Sequence, residues 1–84
     1  PQKMVLRAYK QHKHYIRSLP IHHSQRLTGD YGEYADFELY LAPTFDFIMR
    51  LLHDGAWVEV ISPAPLRMAM KGWISDMSDH YEED

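Results

Sequence analysis

Six histidines in 84 residues are the first feature that could do chemistry. His12 and His14 are two positions apart, and His22 and His23 are adjacent. Two helical metal ligands need a spacing of three or four residues to share a face, and a structural zinc site needs four ligands. Neither pattern is complete, so no metal and no cofactor is assigned, and the histidines read as surface groups. Ser24 beside His23 offers the types of a nucleophile and a base. Sequence neighbours point apart, however, and a triad also needs an orienting acid and an oxyanion hole. There is no G-x-S-x-G elbow. His23, Ser24 and Gln25 read instead as hydrogen-bonding groups of an irregular segment. Asp36, Glu38 and Glu59 could share one sheet face. Acid–base work would require an environment that separates their pKa values, and cross-strand pairing with Arg7 is the simpler use. The four glycines are scattered and form no phosphate-binding loop. No catalytic residue is assigned, and the chain reads as non-enzymatic.

Charge is distributed unevenly. Residues 1–27 contain Lys3, Arg7, Lys10, Lys13, Arg17 and Arg26 and no acid, whereas residues 28–84 hold all 12 acids against three cations, for a net charge of −3. Such asymmetry suits an anionic or nucleic-acid contact through Arg7, Lys10, Lys13, Arg17 and Arg26. The simpler reading is that the two halves fold together and neutralise each other, since nucleic-acid domains carry a basic excess overall. The aromatics Tyr9, Tyr40 and Trp57 with Arg7 resemble in composition a base-stacking sheet. The RNA-recognition signature is missing and acids share the face, so these three read as a protein-interface set.

These groups need elements to position them. Met4 to Tyr9 alternates as a strand, with Met4, Leu6 and Ala8 on one side. Gln11 to Leu19 reads as a short helix stopped by Pro20. Gln25 to Thr28 reads as a short strand and Gly29 to Gly32 as a turn. Ala35 to Leu41 is the clearest strand, with Ala35, Phe37, Leu39 and Leu41 facing inward. A helix follows, with Thr44 as N-cap, the stripe Phe45, Ile48, Leu51 and Leu52, and Gly55 as left-handed cap. Ala56 to Ile61 reads as a strand with Trp57, Glu59 and Ile61 outward. The last helix begins near Pro65, with Leu66, Met70, Trp73, Met77 and Tyr81 as its stripe and Met68, Met70 and Met77 as core filler. Gly72 predicts a bend or a close approach, and Glu82 to Asp84 a frayed tail. The order predicts an α+β fold, a ferredoxin-like split βαββαβ with an added C-terminal helix, in a single domain over residues 1–84. With no cysteine, no signal peptide and no apolar run of membrane-spanning length, a cytoplasmic location is expected. The start at Pro1, without an initiator methionine, leads to the expectation of a piece of a longer protein.

Three segments carry a resemblance: Ile16-Arg17-Ser18-Leu19-Pro20-Ile21-His22-His23-Ser24-Gln25, Phe37-Glu38-Leu39-Tyr40-Leu41-Ala42-Pro43-Thr44, and Leu51-Leu52-His53-Asp54-Gly55-Ala56-Trp57-Val58-Glu59-Val60-Ile61-Ser62-Pro63. Together they resemble the C-terminal extension, or WCX domain, of WYL-domain bacterial transcription regulators. The resemblance runs from Met4 to Tyr81. It implies a ferredoxin-like module that follows a DNA-binding helix-turn-helix and a WYL domain in one chain. It also implies a role in domain packing, dimerisation and sensing of a nucleic-acid or other anionic effector, with DNA bound through the N-terminal domain. Pro20, His22, Ser24 and Gln25 are the motif positions it singles out, equally as a rigid connector or as a contact segment. The helix-turn-helix and the W-Y-L segment are not in this sequence. The alternatives are a free-standing ferredoxin-like small-molecule sensor or enzyme subunit, for which a pocket of titratable groups would speak, and single-stranded nucleic-acid binding by the basic half.

Overall fold

The computed structural model describes residues 1–82. Chain order is β1 (Gln2–Tyr9), α1 (His12–Ser18), β2 (Arg26–Asp30), β3 (Tyr34–Leu41), α2 (Phe45–Asp54), β4 (Val58–Ser62) and α3 (Ala64–His80), with a 3-10 turn at Gly55–Trp57. The strands form one antiparallel sheet in the order β2-β3-β1-β4. This is the ferredoxin-like split βαβ plan with an added C-terminal helix, and the fold is α+β as the alternation implied.

The pleat explains the core. β1 and β3 pair with Leu6 opposite Phe37 and Arg7 opposite Asp36. Successive side chains alternate between faces, so Met4, Leu6, Ala8, Ala35, Phe37 and Leu39 are buried with Ile16, Phe47, Leu51, Val60, Leu66 and Met70 in one cluster. Each large member contributes about 1.5–3 kcal/mol by leaving water.

The boundaries differ from the sequence expectations in several places. β2 runs to Asp30, so Gly29 belongs to the strand, and a register shift between Leu27 and Gly29 sets Thr28 in a bulge. Phe47, not Phe45, fills the core beside Leu51, and Phe45 is exposed. A helix advances about 100° per residue, so Phe45 and Phe47 lie on nearly opposite sides. Thr44 caps α2 as expected, its hydroxyl accepting from Phe47 N–H at 3.3 Å. Gly55 at φ 59° closes the helix. β4 starts at Val58 because the chain first makes the 3-10 turn. Along α3 only Leu66 and Met70 are buried; Met68, Trp73, Ile74, Met77 and Tyr81 are exposed, so Met68 and Met77 are not core filler. Among the described residues outside its own helical turn, nothing approaches within 4 Å of where a Cβ on Gly72 would stand, and α3 runs unbroken through it. Of the expected frayed tail, Glu83 and Asp84 lie outside the described residues. Among the described residues no helix is long and apolar enough to cross a membrane.

Candidate functional site

The open sheet face is a lattice of charges that satisfy one another. Arg7 Nε and Nη2 donate to Asp36 Oδ1 and Oδ2 at 2.8 and 3.0 Å, and its guanidinium carbon sits 4.1 Å from the centroid of the Tyr34 ring. The bidentate bond to Asp36 raises the Arg7 pKa further above its ordinary value. Tyr9 donates its hydroxyl proton to Glu59, and Arg67 Nη1 donates to Glu59 Oε2 at 2.6 Å and to the Val60 carbonyl at 2.8 Å. The Tyr9 and Arg67 bonds hold the Glu59 carboxyl below the usual carboxylate range, and the Glu59 bond pushes the Tyr9 phenol upward.

Of the proposed interface residues, Tyr40 is exposed and Tyr9 is tied to Glu59. Trp57 is a correction. It lies in the 3-10 turn and lines a depression with residues of α1, not the open sheet face. The turn at Gly55–Trp57 delays the strand by two residues relative to the expected start at Ala56.

The basic set divides in the same way. Lys13 Nζ donates to Asp30 Oδ1 and the Gly32 carbonyl, both at 2.7 Å. That contact, with the Gly32 N–H, holds the Asp30 carboxyl below its ordinary value. Arg26 lies 3.3 Å and Lys3 3.4 Å from Glu38. Lys10 and Arg17 form no ion pair among the described residues. The two charge halves therefore interleave through the sheet, as the simpler reading held.

The Pro20-Ile21-His22-His23-Ser24-Gln25 segment is knitted into the fold. Gln25 Oε1 accepts from Ile21 N–H and Nε2 donates to the Ile16 carbonyl, both at 2.9 Å. The regular helical donor for that carbonyl would be residue 20, a proline without an N–H. Gln25 supplies the missing donor. Ser24 Oγ accepts from Tyr40 N–H at 2.8 Å and donates to the Tyr40 carbonyl at 3.1 Å, which extends the pairing of β3 past β2. His22 Nδ1 accepts from Ser24 N–H at 3.2 Å and lies 2.7 Å from Ser24 Oγ. It is His22, not His23, that meets Ser24. The hydroxyl is already engaged by Tyr40.

A second constellation was not assigned from sequence. β1 and β3 are antiparallel, so α1 begins at the end of the sheet where α2 finishes. There, Gln11, His12, Tyr15, His53, Asp54 and Trp57 line an open depression of about 470 Å³. The Asp54 side chain is 1% exposed; its Oδ2 accepts from Arg50 Nε at 2.9 Å. Its Oδ1 stands 3.6 Å from His12 Nε2 and 3.5 Å from His53 Nδ1. His12 Nε2 is buried and has no hydrogen-bond partner among the described residues. Among the described residues no group of three His, Cys, Asp or Glu is placed to hold a metal ion. Over these buried groups the depression presents the half-exposed Tyr15 and Trp57 rings.

The third surface is α3. Trp73, Ile74 and Met77 continue the Leu66 and Met70 stripe and are 40%, 54% and 47% exposed. A groove of about 440 Å³ runs between β4 and the first turns of α3, lined by Val58, Met68, Met70 and Ile74 with Arg67 and Lys71. No family model matches the chain, and no significant match is found among curated proteins or solved structures. The likeness to the WCX domain rests on the three quoted segments.

Proposed function

We propose that the chain is a non-catalytic regulatory module of a WYL-type bacterial transcription regulator, working in the cytoplasm by packing α3 against a second copy of itself. DNA binding belongs to the helix-turn-helix domain of such a regulator, and an effector is sensed jointly with its WYL domain. The observation that carries the assembly role is the apolar stripe of α3. Leu66 and Met70 are buried, while Trp73, Ile74 and Met77 on the same stripe are not. A contiguous exposed apolar strip on a small domain marks an interaction surface, and aromatic and Met side chains are enriched in interface cores. The open sheet face is a poorer candidate, because its charges are paired within the chain.

The test is sedimentation velocity over a wide range of protein concentration. The wild type should form a reversible dimer. Ile74→Asp and Met77→Asp, both at exposed positions, should remain monomeric with unchanged circular dichroism. A monomer at every concentration overturns the self-association role.

A further inference from the structure

The sheet has two edges, β2 and β4, and the chain treats them differently. At β2 a register shift at Thr28 and the charged ends Arg26 and Asp30 blunt the edge, as exposed edges usually are. At β4 the edge borders the groove of about 440 Å³ along α3. Val58 and Val60 point to the core and Glu59 to the open face. All three line the groove, so it runs along the backbone edge itself. The register shift of β4 falls at Ile61, past the groove.

The polar groups of that edge define what fits it. In a strand the N–H and C=O of one residue point to the same side, and those of its neighbours to the other. Arg67 reaches from α3 and donates to the Val60 carbonyl at 2.8 Å, which marks the Val58 and Val60 backbone as facing the groove. The Val58 N–H already donates to the Gly55 carbonyl. The edge therefore still offers the Val58 carbonyl and the Val60 N–H, an acceptor and a donor on either side of Glu59. In a parallel pair a single residue of the added strand meets such a set, donating to the first and accepting from the second. The opposite wall is apolar, with Met68 65% and Ile74 54% exposed. Of the two cations lining the groove, Arg67 is paired with Glu59, and Lys71 has no ion pair among the described residues. We infer that this groove takes an extended peptide segment of another protein, which adds to β4 as a parallel strand. Its apolar side chains lie against Met68 and Ile74, and an acidic one meets Lys71. Main-chain bonds supply the affinity of strand addition, and the alternating side chains its selectivity. This site goes beyond the α3 assembly reading and does not depend on it, although the two surfaces share Ile74.

The test is made on Met77→Asp, which keeps self-association out of the titration and leaves the groove intact, since Met77 does not line it. The probe is a fluorescein-labelled peptide of alternating valine and glutamate, with alternating valine and lysine as its counterpart. Fluorescence anisotropy at low salt should show saturable binding of the glutamate peptide. The lysine peptide should bind roughly fivefold more weakly. Adding Lys71→Glu, at an exposed position, should reverse that preference with the melting temperature unchanged. Two further peptides carry backbone N-methyl groups, one on its valines and the other on its glutamates. Only one of the two should lose binding, because an added strand turns alternate N–H groups toward the edge. In NMR spectra of the labelled protein the Val60 amide should shift on binding more than that of Glu59, which faces β1. No binding of either unmethylated peptide overturns the inference. So do equal affinity for the two charges, and indifference to methylation on both sets, which would make the groove a side-chain pocket. A Val60 amide shift that grows with protein concentration in the absence of peptide assigns the edge to a second copy and overturns it as well.

Discussion

Replacing Gln25 by alanine tests whether the Pro20–Gln25 segment is a structural clasp. The side chain makes two partly buried hydrogen bonds of 2.9 Å, one with Ile21 N–H and one with the Ile16 carbonyl. A net value of about 1 kcal/mol for each gives a loss of about 2 kcal/mol. The whole domain is worth roughly 4–12 kcal/mol at the usual stability per residue. For a chain of this length each kcal/mol moves the melting temperature by roughly 4–8 °C, so Gln25→Ala should melt about 8–16 °C lower. Gln25→Glu separates the two bonds. It keeps the acceptor for Ile21 but sets a carboxylate against the Ile16 carbonyl, and should melt no higher than the alanine variant. Circular dichroism melts at pH 7 provide the measurement. A shift of less than about 2 °C for both variants refutes the clasp and returns Gln25 to the role of a contact residue.

Glu59→Gln should flatten the acid limb of the stability curve. The folded carboxyl sits below its ordinary value because Tyr9 and Arg67 donate to it, so its contribution is complete above about pH 5 and disappears as pH falls through the lowered value. Melts from pH 6 to 2.5 should show a shallower fall for the variant than for the wild type, with part of the slope left to Asp30, whose carboxyl is lowered in the same direction. Gly55→Ala should cost about 1–3 kcal/mol in urea titration, since φ 59° with ψ −128° is a backbone region that suits only glycine. Arg50→Ala should cost about 2 kcal/mol or more, because it strands a carboxylate that is 1% exposed. Asp54→Asn should cost less than half as much, and an equal cost would show that the carboxylate is retained for stability.

Most of the fold was legible because the informative residues alternate. Met4, Leu6 and Ala8 and then Ala35, Phe37 and Leu39 mark two strands with one buried face, and all six are buried. Thr44 and Gly55 mark the ends of α2 through backbone chemistry that is local in sequence. The errors fall where position around a helix, or what covers it, decides burial. Phe45 and Phe47 are equally apolar, and only the docking of α2 chooses between them. The α3 stripe is continuous from Leu66 to Tyr81 in sequence, yet the sheet extends far enough to cover only its first turns. Trp57 was misplaced because alternation continues smoothly into β4 and gives no sign of the 3-10 turn. Charge pairing followed the sheet: Arg7 opposite Asp36 is a consequence of register, once β1 and β3 are known to be adjacent.

The depression was missed for a different reason, although the topology contained it. No local pattern joins His12 to Asp54, which are 42 positions apart in sequence. An antiparallel β1–β3 pair, however, requires α1 to begin where α2 ends, and those are the positions of His12 and Asp54. Asp54 is also in an unfavourable place. It closes a helix, where the macrodipole disfavours negative charge, and it is buried, where an unpaired carboxylate is costly. Thr44 at the other end of α2 follows the rules of helix chemistry, and Asp54 breaks two of them and needs Arg50, one turn earlier, to be held at all. Arg50 holds one carboxylate oxygen and the His12 and His53 imidazoles stand within ion-pair distance of the other, so the groups that keep Asp54 in place all come from the chain itself. The same argument gives Ser24 and Gln25 to the fold, because each of their polar atoms has a partner within the chain.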